Sequence, residues 1–166
     1  MNKEKLIAAC GLYCGACEMY RAVHDDNQEK QQALVRAFNA RGGKFTVSDL
    51  KCDGCLGGGR LSPWCRQCNI KSCAKRPPGE TICSSSCPDF PCAVLAEFAK
   101  SMPHHAEVID NLRRLEKVGI KKHAEQEERR WHCPRCKKPM SWYYRKCTEC
   151  GAERSSKLYN VPDNMF

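Results

Sequence analysis

Apolar residues recur at helical spacing in the first quarter of the chain and again in its second half. Residues 15–24 repeat them at the i, i+3, i+4 and i+7 positions, a pattern that predicts a short amphipathic helix. A second helix is predicted to begin after the polar cap at 25–27 and to stop at the glycine pair 42–43. Leu34 and Phe38 lie on its expected buried face.

Two further helices are predicted in the second half. The first is expected to use Asp89 as its cap and Pro91 in its first turn, and to end before Pro103. The second spans residues 104–118, is amphipathic, and ends at Gly119. The sequence that follows, IKKHAEQEERR, is rich in charge and predicts a solvated connecting helix.

Residues 51–92 show almost no periodicity and are dense in Cys, Gly and Pro. Such a segment cannot bury enough apolar surface to order itself, so bound metal is expected to order it. Fifteen of the 166 residues are cysteine, and without them the 42% apolar fraction leaves a thin supply of aliphatic core. Small chains with thin cores depend on disulfides or metal ions.

Several features favour metal ions over disulfides and predict a cytoplasmic protein. An odd number of cysteines cannot pair completely within one chain. Near the amino terminus only residues 6–9 are continuously apolar, against the roughly 7–15 residues of an export signal. No stretch approaches the roughly 20 apolar residues of a membrane span. In a reducing cytosol, closely spaced cysteine pairs are typical of metal ligands or redox groups.

The carboxyl-terminal segment carries the clearest metal-binding pattern. CPRC at 133–136 and CTECG at 147–151 are two Cys-x-x-Cys turns, and two such turns direct four thiolates to one ion. The sequence KKPMSWYYRK between them alternates its aromatic side chains and predicts a short hairpin. We therefore predict a zinc ribbon, with a rubredoxin-like iron site of the same spacing as the alternative. Its ligands are Cys133, Cys136, Cys147 and Cys150.

Eleven cysteines precede this segment. A second site is predicted from the next pair of Cys-x-x-Cys turns, and its ligands are Cys52, Cys55, Cys65 and Cys68. A third site needs partners from distant sequence, and its expected ligands are Cys14, Cys17, Cys87 and Cys92. About three zinc ions result. Cys10, Cys73 and Cys83 are left without a site, and His24 is a candidate to complete one.

The amino-terminal cysteines admit two other chemistries. IAAC has the look of a lipoprotein acylation site, which the missing export signal argues against. Cys10, Cys14 and Cys17 have the spacing that holds an iron–sulfur cluster in radical enzymes, but the chain lacks the βα repeats of those enzymes. The bacterial ferredoxin spacing is also absent. An iron–sulfur cluster, and with it an iron–sulfur or thiol redox enzyme, is the alternative to zinc.

The net charge of +9 is unevenly distributed. Residues 129–166 hold nine basic and three acidic residues, and therefore +6 of the total. Basic residues beside four aromatic side chains would suit nucleic-acid binding through residues 129–154. The alternative is that the charges solvate a small module while the aromatic side chains form its core. These aromatic residues are Trp131, Trp142, Tyr143 and Tyr144.

Four stretches, CGLYCGAC, KCDGCLGGGRL, WCRQCNIKSCA and CPDFPCAVL, occur in this order within residues 6–105. They resemble a cysteine-rich bacterial and archaeal family of unknown function whose members open with CGLYCGxC. Some members are also similar downstream, with a helical connector and a carboxyl-terminal zinc ribbon. The resemblance implies a fold stabilised by metal, with zinc as the metal, and it supplies no substrate or reaction. The spacing of Cys83 and Cys87 departs from the Cys-x-x-Cys expected there.

The predicted architecture is a small α-rich, metal-stabilised zinc-knuckle domain (residues 1–105) joined by a helical connector (106–128) to a C-terminal β zinc ribbon (129–154), with a tail (155–166). The four-cysteine sites have full ligand sets, and no histidine occurs in an H-E-x-x-H arrangement; the H-x-E spacing occurs only at His105 and His123, outside the Cys-x-x-Cys turns. The sequence therefore favours a binding or adaptor module with structural zinc over an enzyme. The expected partner is another protein, with nucleic acid as the alternative and no membrane.

Overall fold

The computed structural model describes residues 3–154, and helices make up 46% of this part of the chain. The predicted tail at 155–166 lies outside the described residues. Among the described residues, no helix combines the length and the apolar character needed to cross a membrane. Cysteines are not cross-linked: all fifteen lie within residues 3–154 and all are free thiols.

The first three helices form a small layer of their own. Helix α1 spans Glu18–His24, α2 spans Gln28–Asn39 and α3 spans Val47–Leu50. The predicted cap of α2 is confirmed, because the Asn27 side chain accepts a hydrogen bond from the Lys30 amide at 2.9 Å. The apolar faces meet in one cluster, whose buried members are Ala22, Leu34 and Leu50.

Residues 51–92 follow α3 and are irregular apart from one short helix, α4, at Pro63–Arg66. Three longer helices come after this segment: α5 spans Ala93–Ser101, α6 Val108–Val118 and α7 Ile120–Arg130. Short 3-10 turns cover Lys3–Leu6, Cys14–Ala16 and Pro103–Glu107. The end of α6 at Gly119 is as predicted, with φ at +78°.

The predicted start of α5 is wrong. The helix begins at Ala93, with Cys92 in the cap position and without a side-chain hydrogen bond there. Asp89, the expected cap, instead forms an ion pair with Lys75. Its neighbourhood is occupied by consecutive turns, in which the Phe90 amide donates to the Cys87 carbonyl at 2.9 Å. The backbone before Ala93 therefore forms turns, and the helix begins only after them.

Helix α7 forms as expected but is not solvated on all sides. It packs against both α6 and the Lys3–Leu6 turn. His123 and Ala124 are fully buried, and Glu127 is 2% exposed. The acidic side chain is tolerated inside because it pairs with Arg114, which comes from α6.

The segment 6–13 runs through the centre of the molecule, and every one of its residues is buried. On one side it packs against α5 and α6 through Leu95, Val108 and Leu112. On the other side it packs against α7 and Trp131. The thin aliphatic supply noted in the sequence is thus concentrated around this one segment.

The turn at Gly11 depends on glycine for two reasons. Its φ is +81°, a conformation that other residues adopt only with strain. A Cβ atom there would also lie only 3.2 Å from Leu112 and 3.3 Å from Asn111. The segment therefore lies so close to α6 at this point that a larger residue than glycine would crowd the helix.

The prediction of a C-terminal β zinc ribbon is wrong. Residues 3–154 form no strand or sheet, and their β pairing is limited to isolated bridges. The chain between the two Cys-x-x-Cys turns does not pair with itself as a hairpin would. The Trp142 amide instead donates to the Ala16 carbonyl at 3.0 Å, and the Tyr144 amide closes a turn on Ser141. This part of the chain therefore forms turns and is hydrogen-bonded to the amino-terminal part.

Candidate metal centre

Two turns of the same shape carry the four carboxyl-terminal cysteines. In each, the amide of the first cysteine donates to the carbonyl five residues later, at 2.8 Å in the first turn and 2.9 Å in the second. The residue that follows the second cysteine has a positive φ in both, +60° at Lys137 and +67° at Gly151. The two halves of the centre therefore present their sulfur atoms in the same way.

The four sulfur atoms converge on one point. The atoms of Cys133, Cys136, Cys147 and Cys150 all lie within 4.8 Å of one another. The Cys133–Cys150 pair is 3.6 Å apart and the Cys136–Cys147 pair 3.5 Å. Zinc binds thiolates at about 2.3 Å, so two sulfurs of a tetrahedral zinc site are about 3.8 Å apart. The group has the size and donor type of a tetrahedral thiolate site and could hold a metal ion.

Backbone donors favour the charged form of the first cysteine. Cys133 is fully buried, and its sulfur accepts the Cys136 amide at 3.5 Å. This hydrogen bond is the largest influence on the Cys133 thiol and lowers its pKa to about 6, against the opposing effect of burial. Because metals bind the thiolate, the turn prepares this ligand at neutral pH.

Trp131 connects this centre to helix α7. Its ring is 2% exposed, and its indole N–H donates to the Glu127 carboxylate at 2.9 Å. The Arg154 guanidinium lies over the ring at 4.4 Å. The Trp131 carbonyl accepts the Met140 amide at 2.7 Å, directly after the first turn. The position of the cysteine group is therefore fixed by the helix that precedes it.

Upstream, the structure brings together the first cysteines of the two middle Cys-x-x-Cys turns. The thiols of Cys52 and Cys65 interact directly, which lowers the pKa of Cys52 to about 6 and raises that of Cys65. Cys17 lies near them. Burial is the main cause of its raised pKa of about 11, and the neighbouring Cys52 adds to it.

The second cysteines of the same turns lie beside Cys10. Cys10 and Cys55 are buried members of one core cluster, and Cys68 packs against it. Burial raises the pKa of Cys10 to about 12, and Cys55 and Cys68 contribute to the increase. Cys10 was left without a site by its spacing, and the structure places it among potential ligands.

The last four upstream cysteines are neighbours of one another. Burial raises the pKa of Cys83, and Cys92, Cys73 and Cys87 raise it further. Cys87 and Cys92 thus lie near Cys83, whereas the sequence grouped them with Cys14 and Cys17. In residues 3–154, the carboxyl-terminal four are the only Cys, His, Asp or Glu residues of which three or more have ligand atoms within 4.8 Å of one another.

His24 interacts with the backbone and side chains around Cys52. Its Nε2 atom is 3.3 Å from the Cys52 carbonyl oxygen and 3.7 Å from the Asp53 carboxylate. Its ring stacks on Tyr20 at 3.9 Å between centroids. The imidazole therefore supports the turn that carries Cys52.

Two residues of these turns were not identified from the sequence. Ser62 is fully buried beside Cys52 and Cys65. It is the residue before Pro63 at the start of helix α4, and a serine followed by proline is a helix-start signal that the sequence offers there. Lys137 has the positive φ that Gly151 has in the other turn. Alignment of CPRCK with CTECG predicts that equivalence, although only one of the two sequences contains glycine.

A cleft of about 740 Å³ lies beside the first carboxyl-terminal turn. Its basic lining residues are Arg129, Arg130, His132, Lys137 and Arg154. Two aromatic side chains of this region, Trp142 and Tyr143, contact His104 and are not among the residues that line the cleft. Trp142 stacks on His104 at 4.0 Å, and the Tyr143 hydroxyl forms a hydrogen bond with the same imidazole.

Comparison with known proteins identifies a family. Residues 6–97, more than half of the chain, match a family described as protein of unknown function (DUF3795). No curated protein and no solved structure matches the chain. The matched range contains all eleven upstream cysteines and ends before the carboxyl-terminal group.

Proposed function

We propose that this chain, which belongs to the DUF3795 family of proteins of unknown function, is a zinc-binding adaptor protein whose zinc sites are structural. The observation that carries the proposal is the convergence of four thiols, from Cys133 to Cys150, within 4.8 Å. Four thiolates complete the tetrahedral shell of zinc and leave no position for a substrate or a water molecule. A metal held in this way stabilises the fold and does not take part in a reaction.

The composition of the group supports a structural role. A catalytic zinc site typically has three protein ligands, an open position and a nearby carboxylate or histidine that moves protons. The group contains no histidine and no carboxylate. Zinc is the metal we assign, because soft thiolates in a tetrahedral set are typical of zinc and of iron, and no inorganic sulfide is needed to complete this one.

An adaptor presents a surface to a partner, and one exposed patch suits that role. Trp64 is 46% exposed. Its ring stacks on Phe45 at 4.9 Å between centroids and contacts the Phe38 ring at 5.0 Å with the planes tilted by 55°. The three rings come from separate parts of the chain. Trp64 immediately precedes Cys65, so metal-stabilised turns would hold the ring in place. Exposed clusters of aromatic side chains are typical of protein interfaces.

The test is elemental analysis and an absorption spectrum of the full chain, purified without oxygen. We expect about three zinc ions per chain, no iron and no visible colour. The Cys133→Ser variant should lose about one of them, because three thiolates hold zinc far more weakly than four. Thr148→Ala, at an exposed position within the second turn, is the matched control and should keep them all.

Iron with acid-labile sulfide, and a brown colour, would contradict the proposal and support an iron–sulfur or thiol redox enzyme instead. So would zinc that a chelator removes without any change in the circular dichroism spectrum. Structural zinc contributes roughly 10–16 kcal/mol of apparent binding free energy, which is comparable with the stability of a whole domain. Its removal must therefore unfold the segments that it holds.

A further inference from the structure

The cleft beside the first carboxyl-terminal turn is lined mainly by polar and charged residues. It forms where helix α7 ends at Arg130 and the chain enters the turn. Its volume is about 740 Å³, within the range of roughly 300–1,000 Å³ that accommodates small molecules. Four of its eight lining residues are Arg or Lys, and one is acidic. The cleft therefore has the size of a ligand site and a surplus of positive charge.

The acidic residue of the lining does not remove this surplus. Glu128 forms an ion pair with Lys3, a cation that lies outside the lining. Among the four cations, Arg130 is matched, because its two terminal nitrogens donate to the Glu107 carboxylate at 2.7 Å each. The positive charge available to a ligand therefore comes from the other three.

Arg129 and Lys137 are the two exposed cations of the cleft. Neither forms an ion pair within residues 3–154. Each donates once to a nearby carbonyl, Arg129 Nε to Glu125 at 3.4 Å and Lys137 Nζ to Pro134 at 2.8 Å. These bonds leave both terminal nitrogens of the guanidinium and two of the three ammonium protons for a ligand.

The third cation, Arg154, is held in place by the protein. Its guanidinium lies 4.4 Å from the centroid of the buried Trp131 ring, and it donates to the Arg130 carbonyl at 3.0 Å. A cation stacked on an aromatic ring keeps its charge. Since its position is already fixed, it loses little conformational freedom when an anion binds.

The carboxyl end of helix α7 does not require the two exposed cations. Its last four carbonyls, at 127–130, already accept hydrogen bonds from the Trp131 and His132 amides and from Arg154. Cations near a helix carboxyl terminus are stabilising when they complement such carbonyls. Here that requirement is met by other groups.

Bound zinc accounts for only part of the positive charge. Four thiolates around one zinc ion leave a charge of −2 at the site. Residues 129–154 contain eight basic and two acidic residues, a net charge of +6. A charge of +4 therefore remains once the zinc site is counted, and a surface of this kind attracts anions.

The chemistry of the lining favours phosphate groups. Guanidinium groups bind phosphate oxygens through paired N–H donors, and ammonium groups bind them as point charges. In the described part of the chain, the lining contains no Phe, Tyr or Trp ring on which a base could stack. Contacts from basic side chains to phosphates give affinity without reading sequence.

We propose that this cleft binds the phosphate backbone of a nucleic acid strand, with Arg129, Lys137 and Arg154 as its contacts. A strand is favoured over a free phosphate ion because the basic surface continues outside the cleft, at Arg135 and Lys138, which are exposed in the same turn. The inference goes beyond the proposed function and uses a surface other than the exposed aromatic patch. Binding is electrostatic, and no covalent bond forms or breaks.

Salt-dependent binding of a labelled oligouridine tests the proposal. Fluorescence anisotropy is measured with the full zinc-loaded chain and a single strand of about 15 nucleotides, a length that covers a typical single-strand site. Each phosphate neutralised on a single strand contributes about −0.7 to the slope of log affinity against log salt, so three contacts predict a slope of about −2. An oligoadenosine of the same length should bind equally well.

A double variant, Arg129→Gln with Lys137→Asn, should bind more weakly and lower the steepness of the salt slope by about 1.4. Asparagine is chosen because it tolerates the positive φ of Lys137. The matched control is Lys121→Gln with Lys122→Gln, which removes the same charge from exposed positions of helix α7 outside the cleft. It should keep the slope of the unmodified chain.

Arg129→Gln alone lies outside the metal-binding turn and should lower the steepness by about 0.7. This variant keeps the test decisive if the double variant loses zinc. Equal slopes for Arg129→Gln and the control would overturn the cleft as the site. So would the absence of oligouridine binding at low salt.

Competitors distinguish the sources of the anion. Pyrophosphate should displace the oligouridine no better than sodium chloride of the same ionic strength, and stronger displacement would show that the cleft takes small phosphates. Polyglutamate that displaces it as well as unlabelled oligouridine does would show a surface for acidic proteins. Either result would overturn the nucleic acid proposal. All of these results leave zinc bound at the four cysteines, so the proposed structural role of zinc is tested separately by metal analysis.

Discussion

Lys137 and Gly151 occupy the same position in the two carboxyl-terminal turns, with φ at +60° and +67°. The left-handed conformation costs an ordinary residue about 1–2 kcal/mol, whereas glycine adopts it freely. The first turn therefore contains a strain that the second does not. Nothing lies within 4 Å of the place where a Cβ atom would stand at Gly151, so backbone strain alone distinguishes the two residues.

Lys137→Gly should stabilise the zinc-bound chain by about 0.5–1 kcal/mol, since relief of strain exceeds the added entropy of the unfolded chain. Gly151→Ala, the matched substitution in the other turn, should destabilise it by about 1 kcal/mol. Denaturant unfolding with zinc present throughout measures both. Equal effects of the same sign would show that the two turns are not equivalent.

The residue level is where the sequence was most informative about the candidate site. The spacing of Cys133, Cys136, Cys147 and Cys150 predicted a group that the structure brings together. Upstream, the thiols of Cys52 and Cys65 interact directly, whereas Cys55 shares a core cluster with Cys10. Spacing alone does not show this arrangement, because Cys10 and Cys55 are 45 positions apart in the sequence.

At the level of elements, helix α7 contains a buried carboxylate, that of Glu127, which connects it to neighbouring elements. The Glu127 carboxylate is 2% exposed, accepts the Trp131 indole N–H at 2.9 Å and pairs with Arg114 of helix α6. Arg130 lies 3.6 Å from the same carboxylate and also pairs with Glu107. One side chain thus joins two helices to the residue that precedes the metal centre.

Glu127→Ala should destabilise the protein by about 2–4 kcal/mol, because it leaves a buried indole N–H and two guanidinium groups without this acceptor. Glu125→Ala, on the exposed face of the same helix, is the control and should change stability by less than about 0.5 kcal/mol. Thermal and denaturant unfolding measure the difference. Similar effects of the two substitutions would contradict the role of Glu127.

Helix periodicity predicted the elements better than it predicted their surroundings. The cap at Asn27 and the stop at Gly119 follow from local chemistry, and both are confirmed. The charged helix α7 was expected to be solvated, because its sequence does not show that Arg114 from another helix neutralises Glu127. The ribbon failed for a similar reason: Trp142 bonds to Ala16, a partner 126 positions away, instead of pairing locally.

At the scale of the whole molecule, two buried histidines connect parts that are distant in sequence. The His104 Nδ1 atom forms a hydrogen bond with the Tyr143 hydroxyl, and its ring stacks on Trp142, so His104 joins the turn before α6 to the carboxyl-terminal module. His123 lies 3.3 Å from the Gly11 carbonyl oxygen, which joins α7 to the central segment. Burial lowers the pKa of both, and that of His104 falls to about 2, with His105 as a second cause.

These pKa shifts predict that stability falls as the pH decreases below about 6.5. An unfolded histidine binds a proton near pH 6.5, whereas folded His104 stays neutral down to about pH 2. The unfolded state therefore binds more protons between these values, and the free energy of unfolding drops by about 1.4 kcal/mol per pH unit for this residue. Between pH 6.5 and 5 the loss is about 2 kcal/mol.

Denaturant unfolding of the full chain at several pH values measures this slope, over the range in which zinc analysis shows that the metal stays bound. His104→Gln should make the slope shallower by about one proton, even if the variant is less stable at neutral pH. Tyr143→Phe removes the hydrogen bond but keeps the buried imidazole, so its slope should match that of the unmodified chain. An unchanged slope in His104→Gln would mean that His104 is protonated in the folded protein. The contact between the helical part and the carboxyl-terminal module would then not depend on a neutral imidazole.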